Sequence, residues 1–361
     1  MFLVSLRNTQ VALSLAITSL AIVGMLSSVD SLANEKGVEV SHQPHYHVMD
    51  KFHLEGDVKW DYMTMDAEHR HLFIAHGDRV EVFDVDKKKL VGAIPNTPGV
   101  HGVAIASDLD RGFTSNGKGN SVTIFALSTL NIISTTATEK KPDGIVYDPL
   151  SKRVFAGNGG SDSLTPIDAL AGKSLAAIAL GGKPEFVAVD GKGRLFVNLE
   201  DKNQLVIVDT QKLQVIQRVD LSASCDEPAG LSIDLVTQRL FVGCHNQKMA
   251  IVDASSGEIL DSVTIGKGSD ATAFDATTKL AFSSNGDGTL DIIGARDSTH
   301  YQRMQTVNTI QGARTMAIDP VSHNIYVVAA KIEFAGKTPR KKATSRPRFI
   351  PDTLTLVTVS P

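Results

Sequence analysis

The sequence predicts an all-β fold: a seven-bladed β-propeller of four-stranded antiparallel blades, its ring closed by the N-terminal strand pairing with the C-terminal blade. Three observations predict it. A unit of 40–45 residues recurs seven times, the size of one propeller blade. Each unit divides into short runs of β-branched and aromatic residues separated by turn residues, with no sustained 3.6-residue period. The ends are complementary: the last unit supplies three strands and stops at Leu354–Val359, while Val48–Leu54 stands alone before the first unit. Pairing the two ends hides sheet edges that would otherwise invite aggregation.

The first strand of each unit enters through small residues and ends in Asp: Asp66, Asp148, Asp190, Asp234, Asp275 and Asp319. The second carries an aromatic: Phe73, Phe113, Phe155, Phe196, Phe241 and Tyr326, with Ala281 taking its place in the sixth unit. The successive spacings are 40, 42, 41, 45, 40 and 45. Turns rich in Asn and Gly follow, such as Asn116-Gly117, Asn158-Gly159 and Asn285-Gly286. Third strands include Val80–Phe83 and Gln204–Val208; fourth strands include Leu90–Ile94 and Ile259–Ile265. The 361 residues, 42% apolar and 21% charged, are thus assigned to one closed domain over 47–361 rather than two.

Residues 1–33 read as a secretory signal. Arg7 precedes an apolar run, Val11–Leu26, and Ser31 and Ala33 are the small residues before cleavage at Asn34. The run is short of the roughly 20 residues of a membrane span. No cysteine stands there for a lipid anchor. The mature chain keeps a net charge of −4, because Arg7 and Asp30 leave together. A periplasmic or secreted, monomeric protein with no span after cleavage is expected. Residues 34–46 form an arm, and its His42 and His45, with His47 and His53 beyond, read as a linker into the closing strand rather than a metal site.

Several stretches resemble the YVTN-type (YncE-like) β-propeller repeat family: Gly99-Val100-His101-Gly102-Val103-Ala104, Lys183-Pro184-Glu185-Phe186-Val187-Ala188-Val189-Asp190, Ser283-Ser284-Asn285-Gly286-Asp287-Gly288-Thr289 and Gly312-Ala313-Arg314-Thr315-Met316-Ala317-Ile318-Asp319. The resemblance covers roughly residues 45–361. It implies the propeller fold and an exported bacterial or archaeal protein. Family members are mostly of uncertain role, and one type is linked to DNA binding. Similar propellers serve in quinoprotein amine dehydrogenases and in lactonases, so fold does not settle function.

Chemistry is expected where the first strands enter the channel. Five residues before the strand-ending Asp stand Asp61, His101, Asp143, Glu185, Ala229, Asp270 and Arg314, and Glu227 lies two residues before the one alanine. Strand structure asks for no carboxylates there. One channel mouth should therefore carry a ring of acids broken by a histidine and an arginine. Trp60, beside Asp61, could stack on a ligand. Oxygen ligands suit Ca²⁺, Mg²⁺ or Mn²⁺, and histidine opens Zn²⁺ or Cu²⁺. This makes Asp61, His101, Asp143 and Glu185 the candidate metal ligands. The competing expectation is that the same side chains merely cap blade ends.

Cys225 and Cys244, the only cysteines, lie in the fifth unit. They are too few for a disulfide scaffold or a cysteine-rich metal module. A disulfide is expected in an oxidising compartment; the alternatives are a thiolate site with His245 and free buried thiols. An insertion over 330–352 in the last blade carries Lys337, Arg340, Lys341, Lys342, Arg346 and Arg348, a candidate polyanion contact or lid, though a solvated loop has the same composition. Metalloprotease, nucleophile-elbow and phosphate-loop motifs are absent.

The reading is an exported binding or interaction module, with a small molecule, metal or protein as ligand at the channel face. The alternatives are a metal-dependent hydrolase or lactonase-like enzyme at the same site, and DNA or polyanion binding through the insertion.

Overall fold

The computed structural model describes residues 44–56, 59–333 and 348–361. The signal and most of the arm and the insertion lie outside these.

The described chain forms seven antiparallel blades in a ring. The inner, first strands are Trp60–Asp66, Val100–Ala106, Pro142–Asp148, Pro184–Val189, Pro228–Asp234, Ser269–Asp275 and Met316–Ile318. Each packs against the next, and the last against the first. Three further strands follow outward in blades 1 to 6; in blade 3 the outermost is split into Lys173–Ser174 and Ile178–Ala179. Blade 7 contains Met316–Ile318, Ile325–Ala329 and Leu354–Ser360, completed by His47–Leu54, which runs antiparallel to Leu354–Ser360 from His47 opposite Ser360 to Leu54 opposite Leu354. Tyr46 anchors this strand: its ring is buried edge-on against Phe282 at 5.2 Å.

The strand-ending aspartates are structural. Asp66, Asp148 and Asp319 are buried and accept backbone N–H bonds from the following turn, for example from Glu68 at 3.1 Å and Leu150 at 3.2 Å. They satisfy donors that the turn would otherwise bury unpaired. Asp319 also receives both terminal nitrogens of Arg70 at 2.7 Å, a bidentate pair that ties blade 7 to blade 1. Burial would raise the Asp319 pKa, but Arg70 and Ser322 outweigh it and bring it to about 2.

One position of the sequence reading is corrected. Phe282, not Ala281, occupies the aromatic site of blade 6. It lies opposite Ala273 as Phe241 lies opposite Ser232, seven residues beyond the strand-ending Asp in both blades. Every blade therefore buries an aromatic on its second strand.

Cys225 and Cys244 are joined in a disulfide, with Cα atoms 5.3 Å apart and a sequence separation of 19. Both are fully buried. Closing such a loop is worth about 3 kcal/mol. The Cys225→Ser/Cys244→Ser variant should lose roughly that much stability in urea titration, and unchanged stability would contradict this.

The candidate functional site at the channel mouth

Backbone irregularity places the ring residues. In blades 1 to 6 the pairing of first and second strands slips at the ring position, between Trp60 and Met63, Val100 and Val103, Pro142 and Ile145, Pro184 and Val187, Pro228 and Leu231, and Ser269 and Ala271. A bulge re-aims a side chain and frees its backbone from the ladder. The freed carbonyls are taken up by neighbouring blades: Thr315 donates to Asp61 O at 3.0 Å and Asn198 to Ala229 O at 2.9 Å. Ser115 and Ser284 donate likewise to the carbonyls of Asp143 and Arg314.

The ring side chains are paired with one another. His101 donates from Nδ1 to Asp61 Oδ2 at 2.5 Å, and Asp143 Oδ1 lies 3.7 Å from the same nitrogen. Donor atoms of Asp61, His101 and Asp143 all lie within 4.8 Å of one another. Glu185 is not part of that cluster; its Oε2 lies 3.0 Å from Lys183 Nζ, which also bonds Glu200. Arg314 Nε meets Asp270 Oδ2 at 2.9 Å. Glu227 does not stand in for the missing carboxylate of blade 5. It sits exposed on the rim, 2.8 Å from His245 Nδ1 and near Glu200. The disulfide lies directly beside this pair, since Cys225 precedes Glu227 by two residues and Cys244 adjoins His245.

Crowded, half-buried carboxylates hold protons tightly. Burial, then the charges of Glu185, Asp61 and Asp270, push Asp143 well above the usual carboxylate range, against the pull of His101. Burial lifts Glu185 to about 7, with Lys183 opposing and Asp270 and Glu200 adding. Burial also raises Asp270 despite Arg314. For His101, burial alone would favour the neutral ring, but the Asp61 bond and the charges of Asp143, Asp61 and Glu185 prevail and raise its pKa to about 9. A raised histidine pKa contributes stability that is fully present below the ordinary value of 6.5 and is lost as pH rises through about 9. The His101 ring protons should therefore titrate near pH 9 by NMR, and nearer the ordinary value in Asp61→Asn. A wild-type midpoint below 6.5 would refute the pairing.

Two residues missed by the sequence reading meet across the channel. Tyr62 and Phe186 stand one position after the ring in blades 1 and 4, where the other blades have Gly, Ala or Thr. Their rings meet edge-on at 5.1 Å. Blades 1 and 4 are not neighbours, so this contact spans the axis. Tyr62 is buried, and its hydroxyl donates to Glu185 Oε1 at 3.4 Å. The next residue column carried the signal, because an aromatic stands out among glycines.

The mouth holds two cavities. One, of about 510 Å³ along blades 1 to 4, is lined by Trp60, Asp61, His101 and Asp143, by Lys59, Lys118, Lys141 and Lys183, and by glycines including Gly99, Gly117 and Gly159. The other, of about 340 Å³, is lined by His245, Lys267, Asp270 and Arg314. Trp60 also packs edge-on against Phe349 at 4.9 Å. Phe349 belongs to a short hairpin, Ile332–Glu333 with Arg348–Phe349, at the base of the insertion. Arg348 is exposed there, opposite Glu333. Lys337, Arg340, Lys341, Lys342 and Arg346 lie outside the described residues, as does His42. His45 and His47 are exposed, and His53 lies 3.3 Å from Asp352.

Solved structures share this architecture. A chain of hydrazine synthase from Kuenenia stuttgartiensis aligns with a TM-score of 0.66 and 14% identity, covering 76% of this chain and 94% of that one. A chain of a mitotic checkpoint complex aligns with a TM-score of 0.68 and 14% identity, covering 86% and 96%. At such identity the likeness is one of fold. No family model matches the sequence, and no curated protein does. Among the described residues no helix is long and apolar enough to cross a membrane.

Proposed function

We propose that the chain is an exported binding module, a propeller of the YVTN type, whose ligand occupies the channel mouth. One observation carries the reading: bulged inner strands bring Asp61, His101 and Asp143 together in the wall of one cavity at the channel mouth. A pocket of about 510 Å³, walled by Trp60 and several charged side chains, has the size of a small-molecule site. Export is supported by the N-terminal pattern and by the disulfide, a bond of oxidising compartments. Binding is favoured over general-base catalysis because Asp61 and Asp143 hold His101 as an imidazolium, which cannot accept a proton at neutral pH.

The Asp61–His101–Asp143 cluster favours a second reading, a divalent-metal centre. Its donors suit such an ion, but only once His101 releases the proton it shares with Asp61.

Filling the pocket tests the binding reading. A Cβ at Gly159 would meet nothing closer than Lys183 Cε at 3.6 Å, so Gly159→Phe should fold normally while occupying the cavity. In thermal-shift screening against a panel of polar metabolites, ligands that stabilise the wild type should fail on this variant. Undiminished shifts would place the ligand elsewhere.

A further inference from the structure

We infer that the end of the ring opposite the mouth docks on the surface of an anionic lipid bilayer. The strand-ending aspartates mark that end, and the turn after each leads back into the second strand. In blades 1 and 3 to 7 the second residue after the aspartate donates its N–H to that carboxylate: Glu68, Leu150, Lys192, Val236, Thr277 and Val321, at 2.7–3.2 Å. Only the backbone is engaged, so the turn requires no particular side chain there, and turns ordinarily favour polar ones. Yet blades 3, 5 and 7 carry Leu150, Val236 and Val321, exposed to 47, 84 and 64%, with Leu235 exposed beside Val236. A single exposed aliphatic needs no explanation. The same turn position in three alternate blades makes a set arranged around the axis.

The charges around these tips fit an anionic surface. In blades 3 to 7 no acid lies between the strand-ending Asp and the second strand, and those aspartates are themselves buried. Lys192 and Lys279, on the turns of blades 4 and 6 that separate the aliphatic tips, are exposed and enter no ion pair among the described residues. The corresponding turns of blades 1 and 2 instead hold Glu68, Asp108 and Asp110, so the contact is confined to blades 3 to 7. Farther from the axis the outer turns are mixed, with Lys173 and Lys212 against Glu258 and Asp297. The tips stand singly, each on its own turn, and wall no groove that would grip a folded partner. A soft interface suits them: aliphatic tips enter the headgroup–acyl boundary while lysine stems reach back to the phosphates.

Flotation of the chain from Asn34, which contains every described residue, with vesicles of equal parts phosphatidylcholine and phosphatidylglycerol tests this. Binding is expected, weakening as NaCl rises and on vesicles of phosphatidylcholine alone. Val236→Asp/Val321→Asp should weaken it about tenfold or more. Both side chains are exposed, so the variant should keep the wild-type urea midpoint. Lys192→Gln/Lys279→Gln should weaken binding to the mixed vesicles about tenfold and leave that to phosphatidylcholine alone unchanged. Lys248→Gln, whose lysine bonds Thr264 at the mouth end, should change nothing. Gly159→Phe should bind vesicles as the wild type does, which separates this inference from the reading of the mouth as the ligand site. Absence of binding to the mixed vesicles, or binding indifferent to Val236→Asp/Val321→Asp, overturns the inference. Binding lost only on deletion of 337–348 overturns it likewise and assigns the lipid contact to the insertion. Dimers that Val236→Asp/Val321→Asp disperses in sedimentation, without vesicle binding, would make this face a protein interface instead.

Discussion

A chain that begins at Glu55 and so lacks the closing strand is expected to lose most of its cooperative stability and to aggregate. The truncation removes Tyr46 and Leu54, both essentially inaccessible to water, and strips the antiparallel partner from Leu354–Ser360. Burying two such side chains is worth roughly 3–6 kcal/mol, a large share of the 5–15 kcal/mol that holds a typical domain together. The exposed strand would then offer unpaired N–H and C=O groups to other molecules. Sedimentation and urea titration should show a lower midpoint and higher-order species. An unchanged midpoint with a monodisperse truncated chain would mean that the ring is held shut by something other than this strand.

Gly144→Ala should be nearly as damaging, for a different reason. Gly144 follows the ring residue Asp143, and a Cβ there would be driven into the backbone carbonyl of Glu185 in the next blade. Gly230 is equally confined, with Ala271 C and Thr272 N each 2.7 Å from an added Cβ. Neither obstacle is a flexible side-chain end, so inner strands must move apart. Overpacking of this kind costs about 1–3 kcal/mol or more, and the shift would carry Asp143 and Glu185 with it. Gly144→Ala should therefore lower the urea midpoint and weaken ligand binding together. Gly191→Ala is a useful contrast: nothing lies within 4 Å of its Cβ position, so any loss there reflects only its positive φ of 67°.

Much of this arrangement is legible in the sequence because it repeats. The aspartates recur in six blades since the same turn must be satisfied in each, and the ring position recurs since the inner strands of blades 1 to 6 bulge at the same place. The error at Ala281 shows the limit of a local pattern. Four of the other aromatics, Phe73, Phe155, Phe196 and Phe241, follow a Leu or Val directly, but Phe282 follows Ala281, and cross-strand pairing fixes its place. Contacts between distant blades leave no periodic trace. The Tyr62–Phe186 contact joins residues from blades 1 and 4, and the pairing of each acid with its own cation depends on where long side chains converge. A column of carboxylates therefore reads as an acidic ring, although in the folded mouth these acids are paired with His101, Lys183 and Arg314.

The most direct test of the binding account uses Trp60, the only tryptophan of the chain, which lines the pocket. Its emission should change saturably as a metabolite that stabilises the wild type in the thermal-shift screen is added, and should stay flat in Gly159→Phe. Calorimetric binding of such a metabolite with unaltered Trp60 emission, and with Gly159→Phe binding as tightly as the wild type, would contradict the claim that the channel mouth is the ligand site.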